Sequence, residues 1–243
     1  MLKIKNVSKT FKRGNNIVAA VKGADLTISK GERVYIHGPS GAGKSTLLHI
    51  MGGLSEPTSG NMLFQERDIY ALSDRKRSKI RNQHFGFVFQ FYHLVSELSV
   101  LENVMLPAMI KGGKRLSDIK KEAHNLLSKM DIEKRKSHIP AEISGGEAQR
   151  TAIARALING PEILFCDEPS GNLDSKMSEE IYNILHTISE DDQMSVIVVS
   201  HQEVKKDFFN TEYVMRDGEL GEMTGGKGAG DKNVGEEITV KLV

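Results

Sequence analysis

Residues Gly38–Thr46 read Gly-Pro-Ser-Gly-Ala-Gly-Lys-Ser-Thr, and this stretch decides the fold. It fits the pattern G-x-x-x-x-G-K-[ST], a loop that wraps the phosphates of a nucleotide. Its glycines let backbone N–H groups point at a phosphate where larger side chains would block the approach. Lys44 can place a positive charge on the β- and γ-phosphates, and the Ser45 hydroxyl can reach Mg²⁺. We therefore predict phosphate contacts from the whole loop: Gly38, Pro39, Ser40, Gly41, Ala42, Gly43, Lys44, Ser45 and Thr46.

The flanks of this loop match a strand-to-helix phosphate site. Arg33–His37 reads as a buried strand, and Thr46–Met51 reads as a helix whose N-terminal dipole would face the anion. The alternative is a glycine-rich turn without a ligand. The flanking strand and helix favour the nucleotide site over that alternative.

Composition bounds the class of protein. A chain of 243 residues suits one large α/β domain or a domain with a subdomain. Its 33 Lys and Arg against 32 Asp and Glu leave a net charge of +1, which gives no electrostatic case for nucleic acid. One cysteine, Cys166, excludes an internal disulfide. No apolar run approaches the roughly 20 residues that cross a bilayer, so we expect a soluble cytoplasmic protein without a membrane span.

Two carboxylates close a buried strand in the second half of the chain. Ile163–Cys166 is apolar, and Asp167 and Glu168 follow it. Strands of parallel α/β sheets place their chemistry at this end. Asp167 is suited to hold Mg²⁺ through water, and Glu168 is suited to polarise an attacking water.

Four other positions have both a functional and an ordinary interpretation. Gln90 ends a predicted strand, where its amide can contact a metal or have no function. His201 follows the buried strand Ser195–Ser200 and can contact a γ-phosphate or simply begin a helix. Ser144-Gly145-Gly146 starts a helix with free N–H groups and a hydroxyl, which is an anion site or only a cap. Phe11 can stack on a base or pack in the core.

The middle of the chain has a helical pattern, from Phe91 to Glu142. A stripe at helical spacing predicts a core-facing helix capped by Ser117, and its members are Ile119, Ala123, Leu126, Leu127 and Met130. We interpret this segment as a helical subdomain inserted into an α/β core. Residues 221–243 are glycine-rich at first, and Ile238–Val243 can pair as a strand.

In this order the motifs resemble the ATP-binding subunits of ATP-binding-cassette (ABC) transporters over about residues 1–220. The matching motifs are Walker A at Gly38–Thr46, the Q-loop at Gln90, the signature at Ser144–Gln149, Walker B at Ile163–Asp167, the D-loop at Asn172–Asp174 and the switch at His201. Phe11 falls where the family has an adenine-stacking aromatic, more often Tyr. The signature departs slightly, with Ile143 for the usual Leu and Glu147 for the commonest Gln.

The resemblance implies an α/β fold. It has a RecA-like P-loop core, an N-terminal antiparallel β subdomain and a helical subdomain at about 91–145, followed by a tail at 221–243. It further implies a head-to-tail homodimer that encloses two ATP molecules, each between Walker A of one chain and the signature of the other. The implied roles are nucleotide contact for Phe11, Ser144, Gly145, Gly146, Glu147 and Asp174, catalysis for Glu168, His201, Lys44 and Gln90, and Mg²⁺ binding for Ser45, Gln90 and Asp167.

The runs at 87–94 and 101–107 look like the lipoprotein-releasing and macrolide-exporter group. This resemblance implies an ATPase that drives separate membrane permease subunits from the cytoplasmic side of the inner membrane, with lipoprotein release as the first choice. A macrolide exporter, a peptide-antibiotic exporter, a cell-division complex and a soluble non-transport ABC ATPase remain alternatives. A small-molecule P-loop kinase would leave the signature and His201 unexplained. We expect the helical segment and the Gln90 region to form the groove that contacts the permease, and Leu101 and Val104 are the residues to test there.

Overall fold

The computed structural model describes residues 1–14, 16–191, 193–201, 208–223 and 240–242. Its strands and helices follow in chain order as β1 (Leu2–Arg13), β2 (Asn16–Ile28), β3 (Arg33–His37), α1 (Lys44–Met51), β4 (Ser59–Phe64), β5 (Arg67–Asp68), α2 (Asp74–His84), β6 (Phe85–Phe89), α3 (Val100–Lys111), α4 (Leu116–Lys129), α5 (Gly145–Leu157), β7 (Ile163–Asp167), α6 (Ser175–Asp191), β8 (Ser195–Ser200), β9 (Thr211–Arg216), β10 (Glu219–Met223) and β11 (Val240–Leu242).

The larger sheet has the strand order β11-β10-β9-β3-β8-β7-β6. Strands β9, β3, β8, β7 and β6 are parallel, so their carboxyl ends meet at one edge. The residues that directly follow β3, β6, β7 and β8 are Gly38, Gln90, Glu168 and His201. Four separate stretches of sequence therefore reach the same edge of the sheet, where α/β folds bind ligands.

The two faces of this sheet pack against different layers. In β7 and β8, Phe165 and Ile197 face one core cluster, whereas Leu164 and Val198 face the other. The first cluster joins the sheet to α1 and to a second, antiparallel sheet with the order β2-β1-β4-β5. The second cluster joins it to α3, α4, α5 and α6. The predicted fold, an α/β core with an antiparallel β subdomain and a helical segment, is confirmed.

The helical segment packs as its apolar spacing predicts. Ile119, Ala123, Leu127 and Met130 are buried, and Leu126 is partly buried against them. The predicted cap is wrong. Helix α4 begins at Leu116 after Arg115, and Ser117 lies inside its first turn without capping it.

A single buried amide organises the loop before α3. Asn103 is fully buried, and its Oδ1 accepts the Val95 N–H at 2.8 Å. Its Nδ2 donates to the carbonyl oxygens of Val95, Leu98 and Ser99 at 3.0–3.1 Å. Because all these partners are backbone groups, the side chain replaces the hydrogen bonds that the loop cannot make for itself.

The C-terminal part of the described chain extends the sheet. Strands β9 and β10 form the predicted hairpin around Asp217–Gly218, and β11 pairs antiparallel with β10. The rest of the predicted last strand, Ile238, Thr239 and Val243, lies outside the described residues. Within the described ranges, no helix is long and apolar enough to cross a membrane.

Candidate phosphate-binding site

A cavity of about 520 Å³ opens at the carboxyl edge of the parallel strands. Residues from five separate stretches of sequence line it, namely Ala20, Ser40, Gly41, Gly43, Lys44, Ser45, Thr46, Gln90, Asp167, Glu168 and His201. The structure therefore brings together the phosphate loop, the strand-end amide, both carboxylates and the histidine. Among the other loop residues, Ala42 is buried in the core, and Gly38 and Pro39 contribute backbone oxygens.

The loop backbone fits only glycine at two positions. Gly43 has φ of 105°, and a Cβ there would stand 2.0 Å from the Ala20 carbonyl oxygen. Gly38 has φ of 149°, and a Cβ there would stand 2.0 Å from the Met215 carbonyl oxygen. Any larger residue at either position would push the loop away from its neighbouring strand.

Lys44 is buried beneath the loop. Its Nζ donates to the carbonyl oxygens of Gly38 at 2.8 Å and Pro39 at 2.9 Å. Burial lowers the pKa of Lys44, whereas the neighbouring carboxylates Glu168 and Asp167 raise it. The Lys44 ammonium is thus held in place by hydrogen bonds to two neutral backbone carbonyl oxygens.

Ser45 and Asp167 place two side-chain oxygen atoms in contact at the cavity wall. The Ser45 hydroxyl donates to Asp167 Oδ1 at 2.8 Å. Burial raises the pKa of Asp167, and the Ser45 hydrogen bond and nearby His49 oppose that rise. The described residues contain no group of three or more His, Cys, Asp or Glu that could hold a metal. A hydroxyl with one carboxylate fits Mg²⁺, which keeps waters and substrate phosphates as its other ligands.

Glu168 and His201 are hydrogen-bonded at the cavity wall. Glu168 adopts a left-handed backbone with φ of 46°, and the Gly171 N–H closes the turn on its carbonyl at 3.0 Å. This turn directs the carboxylate to His201, whose Nδ1 lies 2.9 Å from Oε1. A carboxylate and an imidazole that are hydrogen-bonded to each other can accept and donate a proton beside a phosphate.

The turn after Glu168 also holds the strand-end amide. Gln90 packs on Gly171, where a Cβ would stand 2.9 Å from Gln90 Nε2. Asn172 Nδ2 donates to the Gln90 carbonyl oxygen at 2.8 Å. Asp174, at the end of this turn, accepts the Met177 N–H at 2.9 Å and does not line the cavity.

Phe11 stands on the first hairpin, outside the residues that line the cavity. It pairs with Val18 across the strands, two residues along β2 from Ala20, which does line the cavity. Phe11 is 46% exposed, so it is not a core residue. A half-exposed ring on the Ala20 side of the cavity suits base stacking.

Ser144–Glu147 lie at the start of α5 and also outside the cavity. The Ser144 hydroxyl accepts the Glu147 N–H at 3.3 Å, and Glu147 Oε2 accepts the Ser144 N–H at 2.9 Å. Gly145 packs on Tyr92, and Gly146 packs so closely on Met177 that a Cβ would stand 2.0 Å from Met177 Cε. Ser144 and Gly145 are exposed to solvent, so they can meet a second molecule.

The sequence interpretation missed a link between α5 and Tyr92–His93, the residues that follow Gln90. Tyr92 and His93 both have positive φ, at 57° and 48°. The Arg155 guanidinium donates to both of their carbonyl oxygens, at 2.6 and 2.5 Å. Burial lowers the pKa of Arg155. The available signal was an arginine within the otherwise apolar run of α5, but its partners are more than sixty positions away.

A second cavity of about 400 Å³ lies between α2, β6, α3 and α5. We call it the lateral groove, and its lining includes Leu54, Arg81, Phe87, Phe89, His93, Pro107 and Arg155. Val104, one of the two residues chosen to test the permease contact, is fully buried and cannot touch a partner. Leu101 is partly buried and lines a different cleft, between α3 and α4.

Comparison with known proteins gives the following likenesses. A family model described as "ABC transporter" matches residues 21–171. A protein named "Lipoprotein-releasing system ATP-binding protein LolD" from Shewanella frigidimarina is 42% identical over 220 residues, which cover 90% of this chain and 92% of that protein. The protein of the same name from Syntrophotalea carbinolica is 46% identical, with 83% and 88% covered.

Solved structures are similar over nearly the whole chain. The dimeric, post-hydrolysis structure of the ATP-binding cassette MJ0796 bound to ADP and Pi has a TM-score of 0.86 and 40% identity, and it covers 93% of this chain and all of that one. The structure of cbiO1 from Clostridium perfringens has a TM-score of 0.78 and 29% identity, with 90% and 86% covered.

Proposed function

The chain belongs to the ABC transporter family, and from this premise we propose that it binds MgATP between two head-to-tail copies and hydrolyses it to drive a separate membrane permease. One observation carries the proposal. Lys44, Ser45, Asp167, Glu168 and His201 line one cavity, although up to 157 positions separate them in sequence. Residues 1–220 would form the ATPase domain.

The contacts suggest a role for each side chain. Lys44 would leave its two loop carbonyls for the β- and γ-phosphates, because an anion is a better partner for a buried cation. Ser45, Asp167 and Gln90 would hold Mg²⁺, which neutralises phosphate charge. Glu168 would accept the proton of the attacking water. His201, which is held by its hydrogen bond to Glu168, would contact the γ-phosphate.

A second copy would complete the site. Ser144 and Gly145 are exposed at the start of a helix, outside the cavity of their own chain. A helix start offers N–H groups and a positive dipole to an anion. The MJ0796 cassette, similar over its full length, is dimeric in its solved structures. These observations support an arrangement in which Ser144–Gly146 of one copy contact the γ-phosphate bound by the other.

The central experiment uses Glu168→Gln. We expect this variant to bind ATP but to lose turnover by at least about 100-fold, because the amide cannot accept a proton. Size-exclusion chromatography with MgATP should show a dimer that ADP does not support. Wild-type protein should gain specific activity as its concentration rises. Turnover of the variant at the wild-type rate would remove Glu168 from its proposed role.

We propose lipoprotein release as the transport function and the cytoplasmic face of the inner membrane as the location, where the chain would be a peripheral subunit. The carrying observation is the name shared by relatives at 42–46% identity over most of both chains. The lateral groove, with exposed Leu54 at its wall, is the proposed contact with the permease. The rival functions within the same group are the ATPase of a macrolide exporter, of a peptide exporter or of a cell-division complex. The rival from another class is a soluble non-transport ATPase.

Two variants test the permease contact. Leu54→Asp places a charge in the lateral groove, whereas Leu116→Asp places one in the separate cleft between α3 and α4, where Leu116 is 59% exposed. In mild detergent we expect the wild type and Leu116→Asp to co-purify with a permease and its lipoprotein cargo, and Leu54→Asp to lose it. Recovery of the wild type without a membrane partner would favour the non-transport ATPase.

A further inference from the structure

The signature carboxylate has a cationic partner. Glu147 Oε1 accepts the Arg135 Nε–H at 2.7 Å. Glu147 Oε2 accepts both the N–H and the hydroxyl of Ser144, at 2.9 and 3.0 Å. One carboxylate thus joins a guanidinium on the loop before α5 to the exposed serine at the start of the helix.

This arrangement creates an electrostatic problem for the proposed dimer. Glu147 lies one hydrogen bond behind Ser144, the side chain that would meet the γ-phosphate of the other copy. Two anions at that separation repel each other. The Arg135 hydrogen bond holds the pKa of Glu147 below its usual range, so the carboxylate stays ionised at neutral pH. The commonest family residue at this position, Gln, would not carry this charge.

We propose that Arg135 is a positioning residue for nucleotide-driven dimer closure, which neutralises Glu147 and keeps Ser144 aimed at the partner's γ-phosphate. The inference rests on the proposed function. Arg135 supplies the positive charge that this signature requires because it contains Glu rather than Gln. Its guanidinium also restrains the carboxylate that holds the Ser144 cap.

A substitution cycle isolates this role. The measurement is the ATP concentration that gives half-maximal dimer, in a Glu168→Gln background where ATP is not consumed. We expect Arg135→Gln to raise that concentration about three- to tenfold, since a carboxylate without its cation would then lie behind Ser144 at each γ-phosphate. In a Glu147→Gln background the same change should have at most about a twofold effect, because no charge is left to neutralise. The Arg135→Gln defect should shrink in high salt.

Two controls separate this effect from loss of structure. Arg135→Lys keeps the charge and should stay within about threefold of the parent. Lys114→Gln removes a similarly exposed cation from an ion pair of the same length, Lys114–Glu122 at 2.7 Å, and should not change the ATP dependence. An Arg135→Gln defect of equal size with and without Glu147, or no defect at all, would overturn the inference. A parent that forms no dimer in ATP would overturn the proposed function and this inference with it.

Discussion

The two proposed anion-binding ends of this molecule, the sheet edge and the start of α5, are built in different ways. At the sheet edge, Lys44, Ser45 and Glu168 already contact partners inside one chain and line one cavity. At the start of α5, Ser144 is also fixed by its neighbours, yet it lies outside that cavity and faces solvent. In the proposed function, the first end would hold a phosphate with residues of one chain, whereas the second would become a phosphate site only when another molecule contacts it.

The difference follows from the elements that carry each end. Parallel strands fix their carboxyl ends relative to one another through ladder hydrogen bonds, so the cavity needs no partner to form. Helix α5 packs with α3 and α4 in the second core cluster, away from the phosphate loop. Its connection to the cavity passes through Arg155 and the carbonyl oxygens of Tyr92 and His93.

A mixing experiment gives the largest expected effect and can break the comparison. Lys44→Ala removes the buried cation, and Ser144→Asp keeps a helix cap but adds a charge that repels phosphate. Each variant alone should lose ATP turnover by at least about 100-fold. Mixed in equal amounts, they should recover about a quarter of the wild-type rate, because half of the random dimers contain one intact composite site of two.

The mixture has a direct control. Two preparations of Lys44→Ala, or two of Ser144→Asp, should show no recovery when they are combined. If the mixture of different variants stays as inactive as its components, the two ends do not meet between chains.

The next effect concerns stability of the helical segment. Asn103→Leu should lower the free energy of unfolding by about 2–4 kcal/mol, because it leaves buried backbone groups of Val95, Leu98 and Ser99 without partners. Denaturant unfolding measures the change. The exposed Asn125→Leu, on α4, should stay within about 0.5 kcal/mol of the wild type. Equal stability of the two variants would show that the Asn103 amide is dispensable.

The smallest effect tests the hairpin beside the cavity. Phe11→Ala should weaken ATP binding about five- to tenfold if the ring stacks on the base, with no change in folding. Phe11→Tyr should retain the affinity, and Ile17→Ala removes a more exposed side chain of the same hairpin as a control. Isothermal titration calorimetry compares the three. Equal affinities for Phe11→Ala and the wild type would make the ring a surface feature.

Local patterns predict the sheet edge well. The apolar runs before Gly38, Gln90, Glu168 and His201 indicate buried strands, and parallel strands bring their ends together. The same reasoning fails for the helical segment. Val104 is buried and Ser117 does not cap its helix, because the packing of α3 and α4 decides which residue faces solvent and where each helix begins. Periodicity does not reveal the hydrogen bonds of Asn103, because they go to backbone groups of an irregular loop. It does not reveal those of Arg155, because their partners are distant in sequence.

The sequence by itself determined the chemistry of the phosphate loop, the order of the motifs and the α/β class, because glycine spacing and buried strand runs are local properties. Only the tertiary structure decided that Ser144 lies outside its own cavity and that Arg135 pairs with Glu147. Those facts depend on how a helix, a loop and a sheet pack. The physical reason is that the sequence directly specifies the type of each side chain. The charged groups and surfaces that a side chain contacts are decided only when distant segments pack together.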